Sequence, residues 1–250
     1  MIPLRDDAPR YGTPYVTRFL LVINIGIFLC EWIVSRSYGQ GALQALIRLF
    51  GLIPARIAIL LQGGYVPHEV VSQIGSYVVT PEAALLPFLT SMFLHASWLH
   101  VIANMWALWI FGDNVEDHVG HAVYLLIYLL CGLAGGVVHT VFNFDSTVPS
   151  VGASGAIAGI MGAYLVLFPS ARVLTLVPFL FVFFLWLPAW VVLGYWFIVQ
   201  FLSGAATSIA STHSTGGGGG VAFWAHVGGF LSGVLLIRLF PSRRRFLRYG

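Results

Sequence analysis

The sequence has no lysine; all twelve of its basic side chains are arginines, set against nine Asp and Glu. Charged residues make up 8% of the 250 positions, where a soluble domain carries roughly 25%. So little charge cannot cover a water-exposed surface, which excludes an ordinary soluble enzyme and makes an integral membrane protein the first reading. Cysteine is nearly missing as well. Cys30 and Cys131 fall inside apolar runs, so neither a disulfide framework nor a CxxC metal site can be read. The pI is near 9.0, but no basic patch of the kind a nucleic-acid binder shows is read, and no nucleic-acid partner is expected.

What is present is apolar: 58% of residues are hydrophobic and the mean hydropathy is +0.89. The runs predict six spans, at about Phe19–Val34, Trp98–Phe111, Ala122–Phe142, Ser154–Phe168, Leu187–Leu202 and Val221–Phe240. The stretch from Val173 to Leu202 exceeds the roughly 20 residues a span needs. Pro178 and Pro188 break it, so the helix is placed in its second half. The expected fold is an all-α membrane protein, a six-transmembrane helical bundle over 19–240 with a long first outer loop at about 35–86. Within that loop, ALQALIRLFGLIPARIAILL reads as a helix lying in the interface. Glu31, near the far end of span one, could reach the interface.

Arginine sets the orientation. Nine arginines flank one side: Arg5, Arg10 and Arg18 in the tail 1–18, Arg172, and Arg238, Arg243, Arg244, Arg245 and Arg248 at the other end. Three, Arg36, Arg48 and Arg56, lie in the first loop. Both the tail 1–18 and the basic tail 241–250 are therefore expected in the cytoplasm. GDNVEDHVGH, after span two, falls on the same side although it is acidic. Ser154 and His226 then lie at similar shallow depth below the outer face. Lysine-free, Arg-, Gly- and Ala-rich composition suggests a GC-rich prokaryote and its inner membrane.

Polar groups inside spans are costly and so mark candidate sites. Five stand out: His95, His100, Asn104, Ser154 and His226. Ser154 sits in Gly152-Ala153-Ser154-Gly155, where Gly152 allows close approach. At a helix start, unpaired N–H groups and the dipole favour an oxyanion. Taken alone, the stretch favours the plainer role, the serine as a helix cap and its small neighbours as a packing face. His226 precedes Gly229 and Gly233, a GxxxG face that brings a helix close, with the Ser154 helix as partner. A serine bonded to an imidazole is an activated nucleophile. His100 and Asn104, four apart, share a helix face, and Asn is a neutral oxyanion donor. A metal held by His95, His100 and His226 lacks the HExxH pattern or a carboxylate, and no metal is assigned.

Taken together, the residues resemble the rhomboid family of intramembrane serine proteases, over nearly the whole chain. The resemblance rests on His95-x4-His100-x3-Asn104, on GASG at 152–155 and on AHxxGxxxG at 225–233, in family order. It implies Ser154 as nucleophile, His226 as base, and Asn104 and His100 lining the oxyanion site. It makes Gly152 part of the nucleophile loop, and Gly155, Gly229 and Gly233 part of the helix packing. It also implies transmembrane protein substrates, a preference for small residues at the cleavage point, and no cofactor. Two departures stand out. Leu86-Pro87-Phe88 occupies the place of a Trp-Arg pair that anchors the first loop in many members. Ala158 stands where some members carry a Tyr that stacks on the base, so another group must hold His226. STHSTGGGGG, before span six, is either a mobile cap over the site or an unconstrained loop. An inactive client-binding relative and a transporter are the alternatives; no internal repeat supports the transporter.

Overall fold

Near its start, the chain makes a strand rather than a free tail. The computed structural model describes residues 1–179, 181–211 and 222–240. The basic tail 241–250, the expected start of span six at Val221 and nearly all of STHSTGGGGG lie outside them. β1 (Ile2–Asp6) pairs antiparallel with β2 (Arg172–Phe179), which pairs antiparallel with β3 (Phe181–Pro188). The mostly helical fold thus carries a three-stranded sheet that the sequence reading lacked. The reason is that 173–187 is almost continuously apolar, and such a run has no periodicity to separate strand from helix. Its aromatic and β-branched content, with Pro178 near the turn, is the signal for strands.

Helix α1 (Tyr15–Phe50) starts without a side-chain cap of its own. Glu116 serves instead, accepting from the N–H groups of Val16 (2.8 Å) and Thr17 (2.7 Å), where a carboxylate offsets the free N–H groups and the dipole. The helix runs past the expected end of span one and is interrupted at Gly39, whose φ of 83° and ψ of 173° lie outside the helical region. The expected interface helix is therefore split between the last turns of α1 and α2 (Ala55–Leu61). With α3 (Val71–Ile74), α4 (Pro81–Leu85) and α5 (Pro87–Thr90), α2 builds the first loop around its own small core of Ile53, Ala55, Ile59, Ile74, Val79 and Ala84.

The remaining helices are α6 (Trp98–Val119), α7 (His121–Phe142), α8 (Ser154–Leu167), α9 (Ala189–Ser211) and α10 (Phe223–Leu236). Among the described residues, three helices, α1, α7 and α9, are long and apolar enough to cross a membrane. A fourth is added if α6 and the segment before it, bent by 75°, count as one span. α8 and α10 are apolar but only 14 residues each, about 21 Å long at 1.5 Å per residue. Length and composition thus support three or four spans, against the six expected. α8 is buried on all sides from Gly155 to Tyr164, as expected of a helix apolar all round.

The acidic stretch after α6 begins is helical, and its carboxylates hold the N-terminal segment. Asp113 pairs with Arg10 (2.5 Å) and Asp117 accepts from the Gly12 N–H (2.8 Å). The Tyr164 hydroxyl donates to Asp6 (2.5 Å) and Arg172 pairs with Asp7 (2.8 Å). Residues 1–18, the C-terminal ends of α6 and α8, and the sheet therefore gather at one end of the bundle. Ser154 and His226, at the N-terminal ends of α8 and α10, are at the other.

Candidate active site

The site is built where two backbones touch. A Cβ at Gly229 would overlap the Gly155 carbonyl oxygen, and one at Gly233 would overlap the Gly159 carbonyl oxygen. Only glycine permits α8 and α10 to approach this closely. That contact brings Ser154 Oγ to 2.7 Å from His226 Nε2. His226 is 8% exposed and Ser154 is half-buried.

The bland role for Ser154 is not what the geometry contains. Ala153 is the N-cap of α8 and no side chain caps the helix. Ser154 is its first residue, and its Oγ is bonded to the imidazole. Gly152 has φ +131°, a conformation L side chains rarely adopt. A Cβ there would come within 2.7 Å of the His100 ring. The glycine thus lets His100 lie beside the serine loop, and its own N–H donates to the Ser91 carbonyl at 2.9 Å.

His100 sits in the first turn of α6, its backbone N–H capped by Ser97 Oγ at 3.2 Å. Its Nδ1 accepts from the Ala96 N–H at 3.5 Å. That leaves the ring proton on Nε2, the nitrogen on the Gly152 side. Asn104, buried one turn on, donates one amide N–H to the His100 carbonyl at 3.0 Å. The amide carries a second N–H.

His95 makes its contacts elsewhere. Its backbone N–H donates to Glu31 Oε2 at 3.1 Å, and its ring packs edge-on against His100 with centroids 5.2 Å apart. Glu31 is accordingly buried inside the protein, at 2% exposure, rather than left open at the end of the span. It is satisfied at the turn that launches α6.

Two questions left by the sequence find answers. The first loop is anchored by Arg56, buried with its guanidinium donating to the carbonyls of Ile74 (3.2 Å) and Ala83 (3.3 Å). The loop is also tied to the approach to the site, because Leu52 and Ser150 exchange backbone hydrogen bonds at 3.0 and 2.7 Å. His226 is held from α9. Gln200 Oε1 lies 2.7 Å from its Nδ1, and the Trp196 ring lies 5.7 Å from the imidazole. Sequence reasoning missed Gln200, although an amide inside an apolar span is itself a signal. A small cavity of about 30 Å³ opens beside Ser154, lined among others by Ser91, His139, Gly152 and Ala225.

A family model, the Rhomboid domain, matches residues 82–243. The chain belongs to the rhomboid family. The match begins inside the first loop, so α1 and most of that loop lie outside it. Among relatives, the chain is 31% identical over 160 residues to RHOMBOID-like protein 6, mitochondrial, of Arabidopsis thaliana, covering 61% of this chain and 51% of that protein. It is 33% identical over 149 residues to Rhomboid protein 1, mitochondrial, of Saccharomyces cerevisiae, covering 58% and 39%. It is 46% identical over 77 residues to the Rhomboid protease GluP of Bacillus subtilis, covering 31% and 15%. The chain spans about half or less of the length of these relatives. The expectation of a prokaryotic inner membrane is corrected by the plant and yeast matches, which are mitochondrial proteins. Arginine and glycine content reports base composition, not compartment. The rhomboid family includes serine proteases and acts on membrane proteins in a bilayer.

Proposed function

We propose that this rhomboid is an intramembrane serine endopeptidase cleaving membrane-anchored proteins in or beside their transmembrane helix. The observation that carries the reading is the 2.7 Å contact between Ser154 Oγ and His226 Nε2 on two helices in backbone contact. His226 Nε2 takes the Ser154 proton as Oγ attacks the scissile carbonyl. The oxyanion forms at the start of α8, where the Ser154 N–H and the helix dipole favour negative charge. His100 Nε2–H and the second Asn104 N–H supply side-chain donors. The imidazolium then protonates the leaving amine as the C–N bond breaks, leaving an ester on Ser154. Water, giving a proton to His226, hydrolyses that ester and restores the serine.

The cavity beside Ser154, about 30 Å³, exceeds the roughly 10–15 Å³ that a single water needs. It suits a small side chain at the cleavage point. The reading takes α8 and α10 as short crossings sheltered by longer neighbours, with the sheet on the arginine-rich side of the membrane. The relatives' names suggest a mitochondrial membrane as the setting.

Fluorophosphonate labelling and cleavage of a helical membrane reporter test the reading together. Wild type is expected to label at Ser154 and to cut. Ser154→Ala and His226→Ala should each lose at least about a hundredfold in cleavage at unchanged expression. A chain that neither labels nor cuts, yet still binds reporter, would be a non-catalytic rhomboid instead.

A further inference from the structure

A neutral imidazole has one N–H and one lone pair, and catalysis needs the lone pair on the nitrogen facing the serine. In this protein the nitrogen facing Ser154 is Nε2, and Nδ1 faces Gln200 Oε1 at 2.7 Å. An amide oxygen only accepts, so this contact places the ring proton on Nδ1. Nε2 is then left with its lone pair toward the Ser154 hydroxyl. The flipped amide would donate to Nδ1, move the proton to Nε2 and leave the Ser154 O–H without an acceptor. The two contacts therefore select one another.

Gln200 is also well placed to hold the ring. It lies four residues after Trp196, so both sit on one face of α9. Trp196 approaches the imidazole at a tilt of 36° while Gln200 holds its edge. Trp196 also packs near Phe230, one turn after His226, with centroids 6.1 Å apart. When Nε2 takes the serine proton, the Nδ1–H bond to the amide oxygen becomes charge-assisted and strengthens. That gain exists in the transition state and not in the resting enzyme, and so it accelerates the chemical step.

We propose that Gln200 is the positioning residue of this site, fixing the tautomer and orientation of His226. The proposal rests on the Ser154–His226 reading. Gln200→Met keeps length and apolar packing but removes the acceptor. It is expected to lower kcat about 10- to 100-fold with KM within about twofold, and to slow labelling of Ser154 by the same factor. Gln200→Glu retains a carbonyl-type acceptor and should stay within about threefold of wild type. Independently of activity, 15N spectra of imidazole-labelled protein should show His226, assigned by its loss in His226→Ala, as the Nδ1–H tautomer. Gln200→Met should convert it to a mixture. An unchanged kcat, a loss carried by KM, or an unchanged tautomer in Gln200→Met would overturn the proposal while Ser154→Ala stays inactive. If wild type neither labels nor cuts, the protease reading fails, and the tautomer spectra still decide whether Gln200 sets the ring.

Discussion

Gly152 shows how one residue can be fixed by two constraints at once. Its φ of +131° disfavours any side chain, and a Cβ would also press on the His100 ring at 2.7 Å. Gly152→Ala is expected to strain the loop by about 1–3 kcal/mol and to displace Ser154 or His100. Cleavage of the membrane reporter should fall at least about tenfold, one kcal/mol and a half of barrier being enough for that. The melting temperature should fall by about 2–4 °C per kcal/mol of that strain. Gly194, in α9, provides the contrast. A Cβ there meets nothing within 4 Å, so no packing constraint opposes a larger residue.

At the scale of elements, the contact between α8 and α10 brings Ser154 and His226 together. Gly229 and Gly233 lie against the carbonyls of Gly155 and Gly159, and Gly162 lies against the carbonyl of Phe230. Any side chain on this seam must separate the helices and with them Ser154 from His226. Gly229→Val is expected to cost about 1–3 kcal/mol or more by overpacking and to abolish reporter cleavage. Gly194→Ala should be neutral or stabilising by about 0.5–1 kcal/mol, the usual gain of Ala over Gly in a helix. Thermal unfolding in detergent, followed by tryptophan fluorescence, separates the two outcomes. Equal melting temperatures for both variants would show that the seam tolerates separation.

At the scale of the whole molecule, the N-terminal segment acts as a strap. β1 pairs with β2, Arg10 binds Asp113, and the start of α1 is capped by Glu116 from α6. The Asp7–Arg172 pair lies outside the helices and is open to titration. The Arg172 backbone N–H, with its guanidinium adding to it, holds the Asp7 carboxyl below the usual carboxylate range. A carboxylate depressed on folding stabilises the fold above its unfolded pKa, about 3.9. That contribution is lost as pH falls through the lower, folded value. Wild type should therefore exceed Asp7→Asn in stability at neutral pH by less than about 1 kcal/mol, the pair being exposed. The difference should begin to shrink below about pH 4 and vanish only below the lower, folded value. Parallel melting curves at pH 7 and at pH 3.5 check this; a gap that widens in acid would contradict it.

By itself the sequence determined the membrane-type composition, the helices around Ser154, His100 and His226, and the small-residue faces beside them. These signals are local: hydropathy, a 3.6-residue period, glycines four apart. It could not separate strand from helix across 173–187, because an unbroken apolar run has no period. Nor could it assign Glu31, which looked free to reach the interface until the His95 N–H was found beside it. The acids of GDNVEDHVGH and Arg56 were legible as charges but not as partners, since their mates lie far away in the chain. Gln200 was legible as a polar residue in an apolar helix, and only its 2.7 Å approach to His226 gave it a role to test. Tertiary structure decided every pairing between elements, because spacing along one helix fixes a face, while what that face meets depends on how the whole chain packs.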